Sequence, residues 1–286
     1  YHRSLTTCLA AAIARLFARM SLPLLRTCWY GMLGLALLLS SRAAGEIAAA
    51  QDAAIDDVAL HLRQAAMPDM GGDRLGMVLN RYYQLGLGGA KNWDKIVSLR
   101  VAGQLSLDGG TYQFNAYQKK PHYLKITIHD PHRTMQLGYD GNVAWQQTGP
   151  AAPIEMQPVP ARRFIQRAQF ASELLYPYAL GKQIEYLDTV PVDGAICHQL
   201  RVTLESGDQL DYFVDIHSHL ESKIIRTDRR TGEVSETRLQ NYVCESGIPI
   251  ARKVVSSENG VWVSTLELDK VTVNSGVMPW MFKMPK

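Results

Sequence analysis

The chain has 286 residues, 47% of them hydrophobic, and a formal net charge of +3. That charge is slight and the Lys and Arg residues are scattered, which excludes the electrostatic footprint of a nucleic-acid-binding protein. No run of cysteine and histidine at zinc-finger spacing is present, so a structural zinc module is excluded as well.

The chain opens on Tyr1, and Met20 makes a better start, so residues 1–19 read as an upstream extension. Residues 20–45 read as a secretory signal peptide. Arg26 supplies the positive region, and Trp29–Leu39 is an apolar run within the roughly 7–15 residues expected. Ser40, Ser41, Ala43, Ala44 and Gly45 supply the small residues for cleavage near 43–45. The run is shorter than the roughly 20 residues that span a bilayer. The expectation is export to the periplasm of a single domain covering 46–286.

Within that domain Ile55, Val58, Ala59, Leu62 and Ala66 recur at helical spacing and predict a helix over 47–67. Asp73 is placed to cap a second helix, with Leu75, Val78, Leu79, Tyr82 and Leu85 on one face, so that helices occupy 47–90. From Ile96 the period changes from 3.6 to 2. Val97, Leu99, Val101, Leu105 and Leu107 alternate with polar residues, Asp108-Gly109-Gly110 turns the chain, and Tyr112, Phe114 and Ala116 return. Further strands carry Leu124, Ile126 and Ile128, then Met135, Leu137 and Tyr139, then Val143 and Trp145. Four prolines make 149–160 a loop, and 161–176 is predicted as a helix. Seven more strands follow to residue 273, at turns such as Asp193-Gly194, Thr231-Gly232 and Asn259-Gly260.

Eleven or twelve short antiparallel strands make a mainly β (α+β) fold. A meander that long must curl to protect its edges, and helices are the natural cover for its concave face. Cys197 and Cys244 fall about three inter-strand spacings apart, roughly 14 Å. A disulfide needs Cα atoms within about 7 Å, so buried free thiols are expected.

The segment 88–110 (GGAKNWDKIVSLRVAGQLSLDGG) resembles the helix-to-first-strand junction of LolA-like proteins, the outer-membrane lipoprotein-sorting and carrier family. The stretch 192–226, LQNYVCESGIPIARKV (239–254) and VNSGVMPWMFKMP (273–285) are similar to that family's back half. The resemblance covers roughly 75–286. It implies an incomplete β-barrel whose helical lid, including 161–176, closes over an apolar cavity. It further implies a non-enzymatic periplasmic carrier for lipid or lipoprotein acyl chains, with an envelope-sensing or regulatory interaction module as the alternative. Expected partners are a lipid or acylated lipoprotein and inner- and outer-membrane transport proteins, with the carrier a monomer.

The apolar residues proposed to line the cavity are Leu99, Val101, Leu105, Tyr112, Phe114, Leu124, Ile126, Ile128, Leu137 and Trp145 on the strands. Phe164, Phe170, Leu174 and Leu175, joined by Tyr176 and Tyr178, would come from the lid. Any one of them could equally fill a core; the expectation concerns the set. Arg100 is the candidate for the arginine that latches the lid in the family's carriers.

No catalytic, metal or cofactor constellation is expected. His217 and His219 sit in one turn, His129 and His132 in another, and a zinc site needs three or four converging ligands. The chain lacks a G-x-S-x-G elbow. Asp211 and Asp215 share a strand face that reads as solvated.

Overall fold

The computed structural model describes residues 70–286 apart from 108, 171, 176–181, 205–206 and 230. The expected signal peptide, the helix at 47–67, and Tyr176 and Tyr178 lie outside the described residues.

Helix α1 runs Arg74–Arg81. The Asp73 side chain accepts from the Gly76 amide at 2.5 Å, so one of the orphan first-turn donors is satisfied as the sequence predicts. The helix then widens into a π-turn, Tyr82–Gly86. That change of register corrects the expected face: Tyr83 rotates inward and Leu85 is 65% exposed. Gly88, in the left-handed region at φ 80°, ends the segment.

Thirteen strands form one antiparallel sheet. In chain order they are β1 (Ser98–Leu107), β2 (Gly110–Lys119), β3 (Tyr123–Asp130), β4 (Arg133–Tyr139), β5 (Ala144–Thr148) and β6 (Ile154–Glu155). After helix α2 come β7 (Gln183–Val192), β8 (Ala195–Thr203), β9 (Asp208–Asp215), β10 (Glu221–Asp228), β11 (Glu233–Glu245), β12 (Ile248–Glu258) and β13 (Val261–Val273). Each meander pairs strand to next strand, and β13 then closes on β1, from Leu99 opposite Val273 to Leu107 opposite Ser264. Strands β6 and β7 remain as unpaired edges, so the sheet does not close into a barrel. The strand beyond the expected twelve is β6, a two-residue edge hidden in the proline-rich loop.

Curling is required by the packing. Ala144 on β5 and Leu266 on β13 belong to one buried cluster with Phe164, Ile165 and Ala168 of α2. Those strands are five spacings apart, about 24 Å in a flat sheet. A second cluster packs Val78, Leu79 and Tyr82 of the α1 segment, with Leu174 and Leu175, on Leu200, Val202, Leu210, Tyr212 and Val214.

Helix α2 spans Pro158–Ala168, where 161–176 was expected. It starts earlier because proline in the first turn lacks only an amide that would have no partner there. It stops at Ala168 because Gln169 leaves helical geometry, after which the Phe170 amide donates to Pro121 O at 3.2 Å. Leu174 and Leu175 therefore lie in a turn.

Trp145 departs from its expected grouping. Its neighbour Ala144 faces α2, so alternation puts Trp145 on the outer face, opposite Gly138. There it is fully buried, donates from Nε1 to Phe282 O at 2.7 Å, and lies under the Lys125 ammonium at 5.6 Å. A Cβ at Gly138 would come within 2.4 Å of the indole. Trp145→Ala is expected to cost about 3–5 kcal/mol and Gly138→Ala about 1–3 kcal/mol by overpacking. In the double variant the glycine substitution should become nearly neutral, since the ring it strikes is gone. Urea denaturation of the four proteins checks this, and additive costs would refute it.

Candidate functional site

The face of the sheet turned to α1 and α2 is its inner face. Its flanks are filled by the two cores; between them, over β10–β13 and the edge of β1, the described residues leave several apolar side chains only half-buried. Ile224, Leu239, Val254, Leu268 and Val101 stay half-buried there. Leu239 stands opposite Val254, and Val254 opposite Leu266 of the first core; in this apolar strip Val101, Val254 and Leu268 border the first core and Ile224 the second. Leu239 belongs to neither core.

Beside that strip runs a cross-strand row of Leu200, Tyr212, Ile224, Thr237, Ser256, Ser264 and Leu107. Its ends are apolar and its centre carries three hydroxyls. Ser256 and Ser264 are fully buried, and neither Oγ has a hydrogen-bond partner among the described residues. Such orphan groups are costly, so the middle of the row is less favourably packed than its ends. One end of the inner face is plugged by Trp93 and Phe170, ring centroids 5.6 Å apart, over Ile96 and Ile248.

Between the strip and the second core lies a buried polar network. The Tyr82 hydroxyl donates to Glu221 Oε1 at 2.8 Å and lies 3.0 Å from Ser172 Oγ. The Tyr242 hydroxyl donates to the Glu221 carbonyl at 2.8 Å, and Tyr212 donates to Glu173 Oε2 at 2.5 Å. Arg226 pairs with Asp208 alongside. Burial pushes the Glu221 carboxyl up to about 7; bonds from Tyr82 and Ser172 oppose this and the Glu173 charge adds to it. Glu173 goes the other way: burial would raise it, but Lys182 and the Tyr212 bond hold it below the usual carboxylate range. Burial lowers the Lys182 ammonium, against the pull of Glu173. Burial likewise drives Tyr82 and Tyr212 well up, so both remain donors.

The sequence-predicted residues are distributed among these features. Leu105, Phe114, Leu124, Ile126, Ile128, Leu137 and Phe164 pack together in the first core, with Val101 and Tyr112 at its border. Leu174 and Leu175 enter the second core, and Leu99 and Phe170 the plugged end. Trp145 is on the outer face. So is Arg100, which is exposed, with its guanidinium 5.3 Å from the Tyr117 ring centre. Sequence reasoning missed Ile224, Leu239, Val254, Leu268 and the Glu173–Glu221 network. Alternation along β11 and β12, with Leu239 between Arg238 and Gln240, was the available signal.

Among the described residues no group of three His, Cys, Asp or Glu side chains could hold a metal ion. Cys197 and Cys244 are free; Cys197 is buried, while Cys244, opposite Pro249 beside the turn that joins β11 to β12, is exposed, against expectation. The outer face has a groove of about 550 Å³ between Ile225, Arg238 and Trp262. Its arginine is already paired with Glu236 and Asp193.

No family model matches the sequence, and no curated protein matches it. Solved structures do share its fold. A LolA superfamily protein from Nitrosomonas europaea superposes with a TM-score of 0.51 at 13% identity, covering 74% of this chain and 98% of that one. A putative outer membrane lipoprotein-sorting protein domain from Vibrio parahaemolyticus gives 0.51 at 11%, covering 65% and 89%. A DUF1329 family protein from Desulfovibrio piger gives 0.53 at 12%, covering 72% and 95%. The chain has the LolA-like curled-sheet fold, and the resemblance read from its sequence stands at that level.

The polar network sets a pH dependence. The carboxyl of Glu221 titrates near 7 in the folded chain, above the roughly 4.3 of an unfolded glutamate. Between those values the folded state holds the extra proton, so its stabilising effect is complete at the acid end and is lost as pH rises to 7. Glu173, being depressed, contributes oppositely, but in a window below its unfolded value. Raising pH from 5 to 8 should therefore cost about 2 kcal/mol through Glu221 alone; His198 and His219, held below the usual imidazole range by burial, act oppositely in that window. Glu221→Gln should remove that cost in urea titrations; parallel profiles for the two proteins would refute the assignment.

Proposed function

We propose that this protein is a non-enzymatic periplasmic carrier that holds an acyl chain, from a lipid or a lipid-modified protein, along the central strip of its inner face. One observation carries the reading. Leu239 lies between the two cores with Ile224, Val254, Leu268 and Val101 at their borders, an apolar set left half-buried on the inner face. Burying a methylene contributes about 0.8 kcal/mol. A chain of ten or more then supplies about 8 kcal/mol, enough to offset the lower range of association costs. The same fold serves many functions, so it supports the reading without deciding it. A likeness to a putative lipoprotein-sorting domain is consistent with it. In this reading the chain acts as a monomer and exchanges cargo with transport proteins of the two membranes.

Leu239 is the residue on which to test it, because it lies in the strip but in neither core. Leu239→Asp places a charge where the chain would lie, and should weaken binding of a fluorescent fatty acid at least tenfold. The thermal midpoint should move by only a few degrees. Absence of saturable binding by the parent, or equal binding by the variant, would sink the proposal.

A further inference from the structure

At the end of the sheet where β1 and β3 start and β2 and β13 finish, lysines gather among exposed apolar side chains. Lys119 stands opposite Ser98, and the Lys120 amide donates to Val97 O at 2.9 Å. Asn274 ties the corner together, accepting from the Val97 amide at 2.8 Å and donating to Lys95 O at 3.1 Å. Lys91 is held on the same rim by its neighbour Asn92, whose side-chain amide donates to Gly247 O at 2.7 Å. The C-terminal turn joins the rim because Tyr123, opposite Lys119, packs on Phe282 with ring centroids 5.4 Å apart. That contact brings Lys283 beside them. Val97, Met278 and Trp280, on the same corner, are 49%, 52% and 68% exposed.

The lysines of this rim outnumber its acidic residues, and of those only Glu245 is matched by a cation among the described residues. Asp94 accepts from the Tyr83 hydroxyl at 2.5 Å, Glu245 pairs with Arg252, and Asp140 accepts from the amides of Asn142 and Val143. Residues 46–286 taken whole have the opposite bias. Five of the 30 Lys and Arg residues precede Glu46 and none of the 27 Asp and Glu residues do, so residues 46–286 carry 25 against 27, a net −2.

We propose that this rim is a docking surface for an anionic phospholipid bilayer, with Trp280 and Met278 entering the headgroup region and the exposed Lys91, Lys95 and Lys283 facing the phosphates. Lys120 Nζ is held by the carbonyls of Trp93 and Asp94. Basic residues at such a surface are each attracted by about 1 kcal/mol, roughly fivefold in partitioning, and tryptophan is favoured at that depth. The surface is also the plugged end of the inner face: Lys120 Nζ lies 5.8 Å from the Trp93 ring centre and 5.5 Å from that of Phe170. Docking would therefore present that end to the membrane.

The test is sedimentation of the full chain with phosphatidylcholine vesicles, with and without about one-third phosphatidylglycerol. The parent should prefer the anionic vesicles and lose that preference in about 0.5 M salt. The exposed triple variant Lys91→Gln/Lys95→Gln/Lys283→Gln should partition about a hundredfold more weakly. Trp280→Ser should also weaken binding, whereas Arg229→Gln, at the opposite end of β10, should leave it unchanged. Because every protein compared shares residues 1–69, any membrane affinity of that segment cancels. A triple variant that binds as tightly as the parent, or an Arg229→Gln loss of the same size per charge, overturns the proposal. The inference stands apart from the carrier reading, whose failure would appear in fatty-acid binding and not in vesicle sedimentation.

Discussion

The pairing of β1 with β13 is the constraint on which the rest depends. Two meanders, one of six strands and one of seven, meet only along that ladder. Without it each would be a separate sheet with four open edges between them. With it there is one surface, curved enough for β5 and β13 to reach the same helix. The ladder contains a bulge at Ala102/Gly103, where Gly103 is required by close approach: a Cβ there would stand 2.0 Å from the Glu267 carbonyl. Bulges of this kind bend a strand and increase its twist, so the seam is also a place where the curl is made.

Among the described residues two short helical segments cover the curled sheet, and they cannot do so uniformly. Each segment fills one flank, and the cores form where Leu, Ile, Val and Phe alternate inward. The central strands carry Thr237, Ser256 and Ser264 on that face, which cannot pack as tightly and leaves hydroxyls without partners. The uneven interior therefore follows from the distribution of side chains along the cross-strand rows. Among the described residues it is Leu239, between the cores, that neither takes in.

Much of this was legible in the sequence because period-2 alternation and Asp-Gly or Asn-Gly turns are local signals. Leu105, Phe114, Leu124, Ile126 and Leu137 could be assigned to one face from that alone. The errors came where a non-local contact overruled a local pattern. The stripe of Phe164, Ala168, Ala171 and Leu175 extended the predicted helix to residue 176, but Phe170 is drawn to Pro121 and Trp93, and the helix stops at Ala168. Trp145 looked like a cavity residue until Gly138 and the carboxyl end of the chain showed which face could hold its ring. Glu221 offered no signal at all, because its titration depends on burial and on Tyr82, Ser172 and Glu173, which reach it from two other segments.

The two covers of the inner face differ in what must be broken to lift them. The α1 segment is tied by hydrogen bonds from Tyr82 to Glu221 and by the adjoining Ser172, in surroundings where an unpaired donor or acceptor costs about 1–3 kcal/mol. Helix α2 presents Ala161, Phe164, Ile165 and Ala168 to the sheet, a face that is wholly apolar. An acyl chain seated beside it can add apolar contacts to that face. It cannot replace the Tyr82–Glu221 bond. On the carrier reading, α2 is therefore the cover that yields to cargo and α1 the one that holds the frame, with the protonation of Glu221 governing how firmly it does so.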